Sequence, residues 1–134
     1  MDYFLDTNII SFALRNNPII KKKLKQLESQ QNFPCISCVS YFEIKRGLLA
    51  VKATKQIQNF EELCQDYQII FLDDLAILEK AAEIHANLRI RGLPIQTEDI
   101  LIAATAMIKE LTVVSNDSDF LRIEGLSLEN WTQS

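Results

Sequence analysis

Residues Glu98 to Glu110 leave this chain few choices of fold. Ile100, Leu101, Ile102, Ala103, Ala104, Ala106, Met107 and Ile108 cover nearly the whole circumference of a helix at this spacing. A helix apolar on almost every side has to lie at the centre of a fold, covered by other elements. Directly after it, Thr112-Val113-Val114 reads as a short strand that stops at Ser115-Asn116-Asp117. A buried helix feeding a short apolar strand is the repeating unit of an α/β protein.

The rest of the chain repeats that alternation. Tyr3-Phe4-Leu5 is a strand ending at Asp6, followed by a helix through Ile9, Ile10, Phe12, Ala13 and Leu14, capped by Thr7 or Asn8. Pro18 opens a second helix with Ile19, Ile20, Leu24 and Leu27 on one side and Lys21, Lys22, Lys23 and Lys25 around the rest. A strand at Cys35–Cys38 leads into a helix over 39–50. Thr54 caps the next helix, Ile69-Ile70-Phe71 forms a third strand, and a helix over 74–91 ends at Gly92 with Pro94 beyond. Gly125 to Trp131 adds a short edge strand. The expected architecture is a three-layer α/β/α sandwich on a short-stranded, mostly parallel sheet, with residues 1–134 as a single domain.

Composition places limits on function. A hydrophobic fraction of 48% and a charged fraction of 24% suit a globular protein. No apolar run approaches the roughly 18–20 residues of a membrane span, and no signal peptide is visible, so a cytoplasmic protein without membrane contact is expected. Cys35 and Cys38 form a C-x-x-C, but in a strand the two would point to opposite faces, and only Cys64 and His85 remain as further ligands. Buried, inert thiols are expected. His85 reads as a core or interface residue, and a single histidine gives a Ser-His-Asp or zinc-hydrolase mechanism little material.

The formal net charge of −4 argues at first against a nucleic-acid partner. Its distribution softens the argument. In open parallel sheets, sites form at the carboxyl ends of strands. Asp6 and Asp117 each follow a strand, and Glu43 and Asp99 fall in the first turns of helices that start on the same edge. Two carboxylates about 4 Å apart repel by about 4 kcal/mol at an effective dielectric of 20, so such a cluster calls for a cation. Oxygen ligands without His or Cys select Mg²⁺ or Mn²⁺ over zinc. Setting aside Asp6, Glu43, Asp99, Asp117 and Asp119 leaves 13 of the 18 acids against 14 basic side chains. A polyanion can approach that nearly neutral surface.

Four stretches together resemble one family. They are Tyr3-Phe4-Leu5-Asp6-Thr7-Asn8; Val39-Ser40-Tyr41-Phe42-Glu43-Ile44-Lys45-Arg46-Gly47; Gly92-Leu93-Pro94-Ile95 through Asp99-Ile100-Leu101-Ile102-Ala103-Ala104; and Val114-Ser115-Asn116-Asp117-Ser118-Asp119-Phe120, followed by Gly125-Leu126 and Asn130-Trp131. In this order and spacing they resemble the PIN-domain ribonucleases, above all the VapC-type toxins. The resemblance implies catalytic acids Asp6, Glu43, Asp99 and Asp117, with Mg²⁺ or Mn²⁺ held by Asp6, Asp99 and Asp117. Which of Asp117 and Asp119 faces the metal stays open. It also implies hydrolysis of RNA phosphodiesters, with a tRNA or ribosomal RNA loop as target. A homodimer and a cognate antitoxin are further implications. Apolar helix surfaces near Ile9, Phe12, Ile44 and Leu48 are where a second copy or an antitoxin helix is expected to dock. Gln96, where Gly is common, and Ser115, where Thr is frequent, depart from the family pattern.

Each acid also has a structural reading. Asp6 suits a helix cap, Ser40 and Glu43 have capping-box spacing, Asp99 complements a helix dipole, and Asp117 and Asp119 suit a turn. The lysines at 21–25 read as a solvated helix face, while Lys45 and Arg46, next to Glu43, are the better candidates for RNA contact. Tyr3, Phe4 and Trp131 read as core or edge packing. A haloacid-dehalogenase-type phosphatase needs a second Asp where Asn8 stands, and the acidic pair and lysine of a response-regulator receiver are not recognisable. A PIN nuclease of RNA maturation or decay, and a non-catalytic domain of the same fold, are the remaining alternatives.

Overall fold

The computed structural model describes residues 2–132. Five short strands, β1 (Tyr3–Leu5), β2 (Cys35–Ser37), β3 (Gln68–Ile70), β4 (Thr112–Val114) and β5 (Leu128–Glu129), form one sheet in the order β3-β2-β1-β4-β5. Every ladder is parallel, with Phe4 opposite Cys35 and Val113, and Leu5 opposite Ile36 and Val114. The helices are α1 (Thr7–Leu14), α2 (Pro18–Ser29), α3 (Cys38–Ala50), α4 (Thr54–Asp66), α5 (Leu75–Ile90) and α6 (Thr97–Lys109), and a 3-10 turn spans Ser118–Arg122. None of them is long and apolar enough to cross a membrane.

Strand order explains the layers. The chain steps outward from β1 to β2 and β3, then jumps back over β1 to β4. Parallel crossovers are right-handed, so reversing direction moves the connecting helices to the opposite face. The two faces are accordingly filled by different helices. Leu5, Ile36 and Val114 pack with Ile9, Ile10, Ile20, Ile44 and Phe60 on the α1–α4 side. Phe4 and Val113 pack with Ile77, Leu88, Ile100, Ile102 and Phe120 on the α5–α6 side. Alternate strand residues thus serve opposite cores. Phe4 is fully buried, and truncating it to Ala would cost about 3–5 kcal/mol.

Helix α6 is enclosed as its composition demands, with Ile102, Ala103, Ala104 and Ala106 fully buried. Its small residues let α5 and the sheet approach closely. Glu110 turns into a left-handed conformation at its end, and Gly92 does the same after α5.

Local boundaries differ from several sequence expectations. Neither Thr7 nor Asn8 caps α1; Asp6 holds the cap position, without a side-chain capping bond. Ser37, not Ser40, caps α3 by accepting from the Val39 N–H, and Ala53 precedes α4, with Thr54 as its first residue. The third strand is shifted back by one, because Phe71 lies beyond it and is 59% exposed. The edge strand shortens to Leu128–Glu129. Cys38 is the first residue of α3 rather than part of a strand, and the three free cysteines are half-buried rather than buried. Burial pushes the Cys35 and Cys64 thiols up. His85 is exposed on α5, so it is not a core residue. Trp131 is buried edge-on against Tyr3, as read from the sequence.

Candidate functional site

The strand order reverses between β1 and β4, and ligand crevices of open parallel sheets form at the carboxyl ends of strands at such a switch point. Asp6 follows β1 there, and Ser115 and Asp117 follow β4. The Asp6 N–H donates to the Val114 carbonyl at 3.0 Å, and this bond locks the two strand ends together.

Asp6 is 3% exposed. Its Oδ2 accepts the Ser115 hydroxyl at 2.7 Å, and Ser115 Oγ in turn accepts the Asp117 N–H at 2.9 Å. Burial pushes the Asp6 carboxyl up, bonds from Ser115 and the Thr7 backbone N–H pull it down, and Asp117 and Glu43 push it up again. Asp117 caps the 3-10 turn with one oxygen, which accepts the Asp119 N–H at 2.9 Å. Its structural role and its place in the cluster therefore coexist.

Glu43 lies in the second turn of α3 rather than the first. Its Oε1 accepts the Thr7 hydroxyl at 2.9 Å, and that hydroxyl also lies 2.9 Å from the buried Ser40 Oγ. The capping-box reading of Ser40 and Glu43 is thereby overturned: both side chains reach across to α1 instead of back along α3. Asp99, in the first turn of α6, is half-buried and raised to about 7, by burial first and then by the charges of Asp6, Asp117, Glu43 and Asp119. One ligating oxygen each from Asp99, Asp117 and Asp119 lies within 4.8 Å of the others. Asp119 Oδ1 is also 3.4 Å from Arg122 Nη2.

The donor set fits a hard divalent cation. It consists of carboxylate oxygens, with no thiolate or imidazole among them. Oxygens sharing one octahedral Mg²⁺ lie about 3–4 Å apart, so small rotations of Asp99, Asp117 and Asp119 would bring them to one ion.

Sequence reasoning named the acids but misjudged the groups that orient them. Thr7 and Ser40 carried cap signals whose hydroxyls serve the cluster instead. Arg122 carried no signal at all, as an ordinary arginine in a turn. Lys45 pairs with Glu61 at 2.6 Å, while Arg46 lies over the exposed Phe42 ring at 5.1 Å and lines one cleft with Glu43. Ile9 and Ile44, expected on a docking surface, are core residues, and Phe12 and Leu48 pack against that core.

A family model for the PIN domain matches residues 3–126. The chain is 34% identical to Ribonuclease VapC2 of Rickettsia felis over 98% of both chains. It is 29% identical to the tRNA(fMet)-specific endonuclease VapC of Shigella flexneri, over 98% of this chain and 99% of that one. Among solved structures it is similar to VapBC2 from Rickettsia felis bound to a DNA fragment from their promoter. That match has a TM-score of 0.84 at 31% identity and covers 98% of this chain and 99% of the other.

Proposed function

Because this chain belongs to the PIN-domain family, among its VapC-type ribonucleases, we propose that it is a divalent-cation-dependent endoribonuclease toxin restrained by an antitoxin. Asp6, Asp99 and Asp117 would hold Mg²⁺ or Mn²⁺, with Asp119 as a further candidate ligand beside them. The observation that carries the reading is geometric: ligating oxygens of Asp117 and Asp119 lie within 4.8 Å of an oxygen of the Asp99 carboxyl. Burial and four neighbouring acids push it to about 7, a charge cost that a divalent ion would remove.

When bound, the ion neutralises charge on the scissile phosphate and lowers the pKa of the attacking water. The chain's own groups do the positioning. Ser115 and the Thr7 N–H fix Asp6 at the floor of the site. Thr7 occupies Oε1 of Glu43 and leaves Oε2 to accept a proton from water. Attack in line forms the new phosphorus–oxygen bond and breaks the bond to the 3′-oxygen, which takes up a proton. The products are a 5′-phosphate and a 3′-hydroxyl.

The Shigella flexneri relative acts on a tRNA, which makes structured RNA, tRNA or a ribosomal RNA loop, the substrate class of the proposal. For the antitoxin, the surface keeps Ile44 and Leu48 of the expected one and is framed by polar side chains. A cleft of about 430 Å³ between α1 and α3, lined by Asn8, Ser11, Arg15, Glu43, Gly47 and Leu48, opens beside the acids. A partner helix seated there could bring an arginine to Glu43 and compete for the site's charge. A homodimer and a cytoplasmic, single-domain protein complete the reading.

The test is cleavage of a tRNA pool by the purified chain with Mg²⁺ or Mn²⁺, with and without excess EDTA. Cleavage should vanish with EDTA and return on adding the ion; undiminished activity in EDTA sinks the mechanism. Co-expression with the neighbouring reading frame checks the antitoxin. Growth arrest relieved by that frame supports it, whereas a chain harmless alone that still cuts RNA returns the protein to general RNA decay.

A further inference from the structure

Building on the metal-nuclease reading above, we propose that Arg122 is a built-in counter-cation for Asp119. It competes with the divalent ion for that carboxylate and so sets how tightly the site holds the ion.

The geometry is specific. Arg122 Nη2 lies 3.4 Å from Asp119 Oδ1, and an oxygen of Asp119 lies within 4.8 Å of ligating oxygens of Asp99 and Asp117. Of the ion pairs among the described residues, this is the one that touches any of the five clustered acids. A guanidinium stays charged at all working pH, so the competition cannot be titrated away.

The arginine is also held at both ends. Its Nη1 donates to the Pro94 carbonyl at 3.2 Å, in the loop that leads to Asp99. Its own carbonyl accepts from Arg91 Nη1 at 2.8 Å, and Arg91 is fixed by Asn87 at 2.9 Å and lies 3.8 Å from Glu124. A charge anchored this way stays at the margin of the site instead of drifting into solvent. The pair itself is half-exposed, and exposed pairs contribute little to folding. Its consequence therefore falls on the ion. A carboxylate engaged by a guanidinium is a poorer ligand, and a nearby unit charge opposes a divalent cation directly.

The measurement is calorimetric titration of Mn²⁺ into the wild type and its variants, with melting temperature as the check on folding. Arg122→Gln should bind Mn²⁺ about fivefold more tightly, the order expected for removing one solvent-screened charge several Å from a divalent ion. Arg122→Lys, which keeps the charge, should stay within about twofold of wild type. In an Asp119→Asn background the Arg122→Gln change should shift affinity by less than about twofold, because the contested ligand is gone. A merely structural strut predicts the opposite sign, since loosening Asp119 and the Pro94 loop would weaken binding. Unchanged or weaker Mn²⁺ binding by Arg122→Gln overturns the proposal. So does a raised KM for RNA at unchanged ion affinity, which would reassign the arginine to the substrate. A wild type that binds no Mn²⁺ removes the nuclease reading and this one together, whereas normal wild-type binding with no change in Arg122→Gln removes only this one.

Discussion

Asp6 and Asp99 belong to one carboxylate cluster, yet the molecule treats them differently. Asp6 forms the floor, almost fully buried, with the Ser115 hydroxyl and the Thr7 N–H donating to it. Asp99 stands in the wall, half-buried, with no hydrogen-bond donor to its carboxylate among the described residues, and its carboxyl rises to about 7. A buried charge supplied with donors can stay in place without an ion; one surrounded by other carboxylates needs either a proton or a cation. The floor is thus organised by the chain's own hydrogen bonds, and the wall keeps a charge that no donor relieves.

The largest expected effect breaks both halves at once in activity and separates them in stability. Asp6→Asn and Asp99→Asn should each lower RNA cleavage by about 100-fold or more. Without cation, Asp99→Asn should also gain about 1 kcal/mol of stability, a figure already reduced for its solvent exposure. Asp6→Asn should gain less, because its hydrogen bonds already offset much of the burial. Urea melts in EDTA decide it, and equal gains at both positions would erase the distinction.

Next comes the floor alone. Ser115→Ala removes a donor from a buried carboxylate and an acceptor from the Asp117 N–H, at a cost of about 1–3 kcal/mol. The lost bond stabilises the ionised form of Asp6, so the deficit should be largest at neutral pH and shrink as the carboxyl protonates. A pH-independent loss would point to packing instead.

The wall has its own pH signature. Between the ordinary value of 3.8 and about 7, folded Asp99 keeps a proton that the unfolded chain releases. Cation-free stability should therefore fall as pH rises from about 4 to about 7, by about 1 kcal/mol after allowance for exposure. Asp99→Asn should flatten the slope, and melting temperatures across that range in EDTA would reveal it.

Thr7→Val gives the smallest effect. It frees Glu43 from its hydroxyl partner at a cost of about 0.5–1.5 kcal/mol, and activity should drop more than stability implies. Wild-type kcat in this variant would show that Glu43 needs no orientation from Thr7.

Much of this is legible in the sequence. The all-round apolar run ending near Glu110 is a buried helix because no other placement hides it, and Phe4 and Leu5 alternate between two cores because a strand's side chains do. Strands β1 and β4, and the acids that follow them, were found by the same reasoning. The errors cluster among short polar side chains. Ser40 at three residues before Glu43 looks like a capping box, and Thr7 after a strand looks like a cap. Local spacing carries no trace of a hydroxyl on α3 meeting one on α1. His85 on an apolar-looking helix face proved exposed, because the buried stripe of α5 runs through Ile77, Ala81, Ile84 and Leu88 and passes beside it.

Sequence by itself determined the layered α/β architecture and the placing of Asp6 and Asp117 just beyond their strands, because periodicity and strand-end position are local properties written in residue order. Tertiary structure alone decided what each acid experiences. The donors to Asp6 and Glu43, the repulsion that lifts Asp99 and the arginine against Asp119 depend on which segments meet at the switch point between β1 and β4. Electrostatics acts through space, where Asp6 and Ser115 are hydrogen-bonded neighbours although 109 residues separate them along the chain.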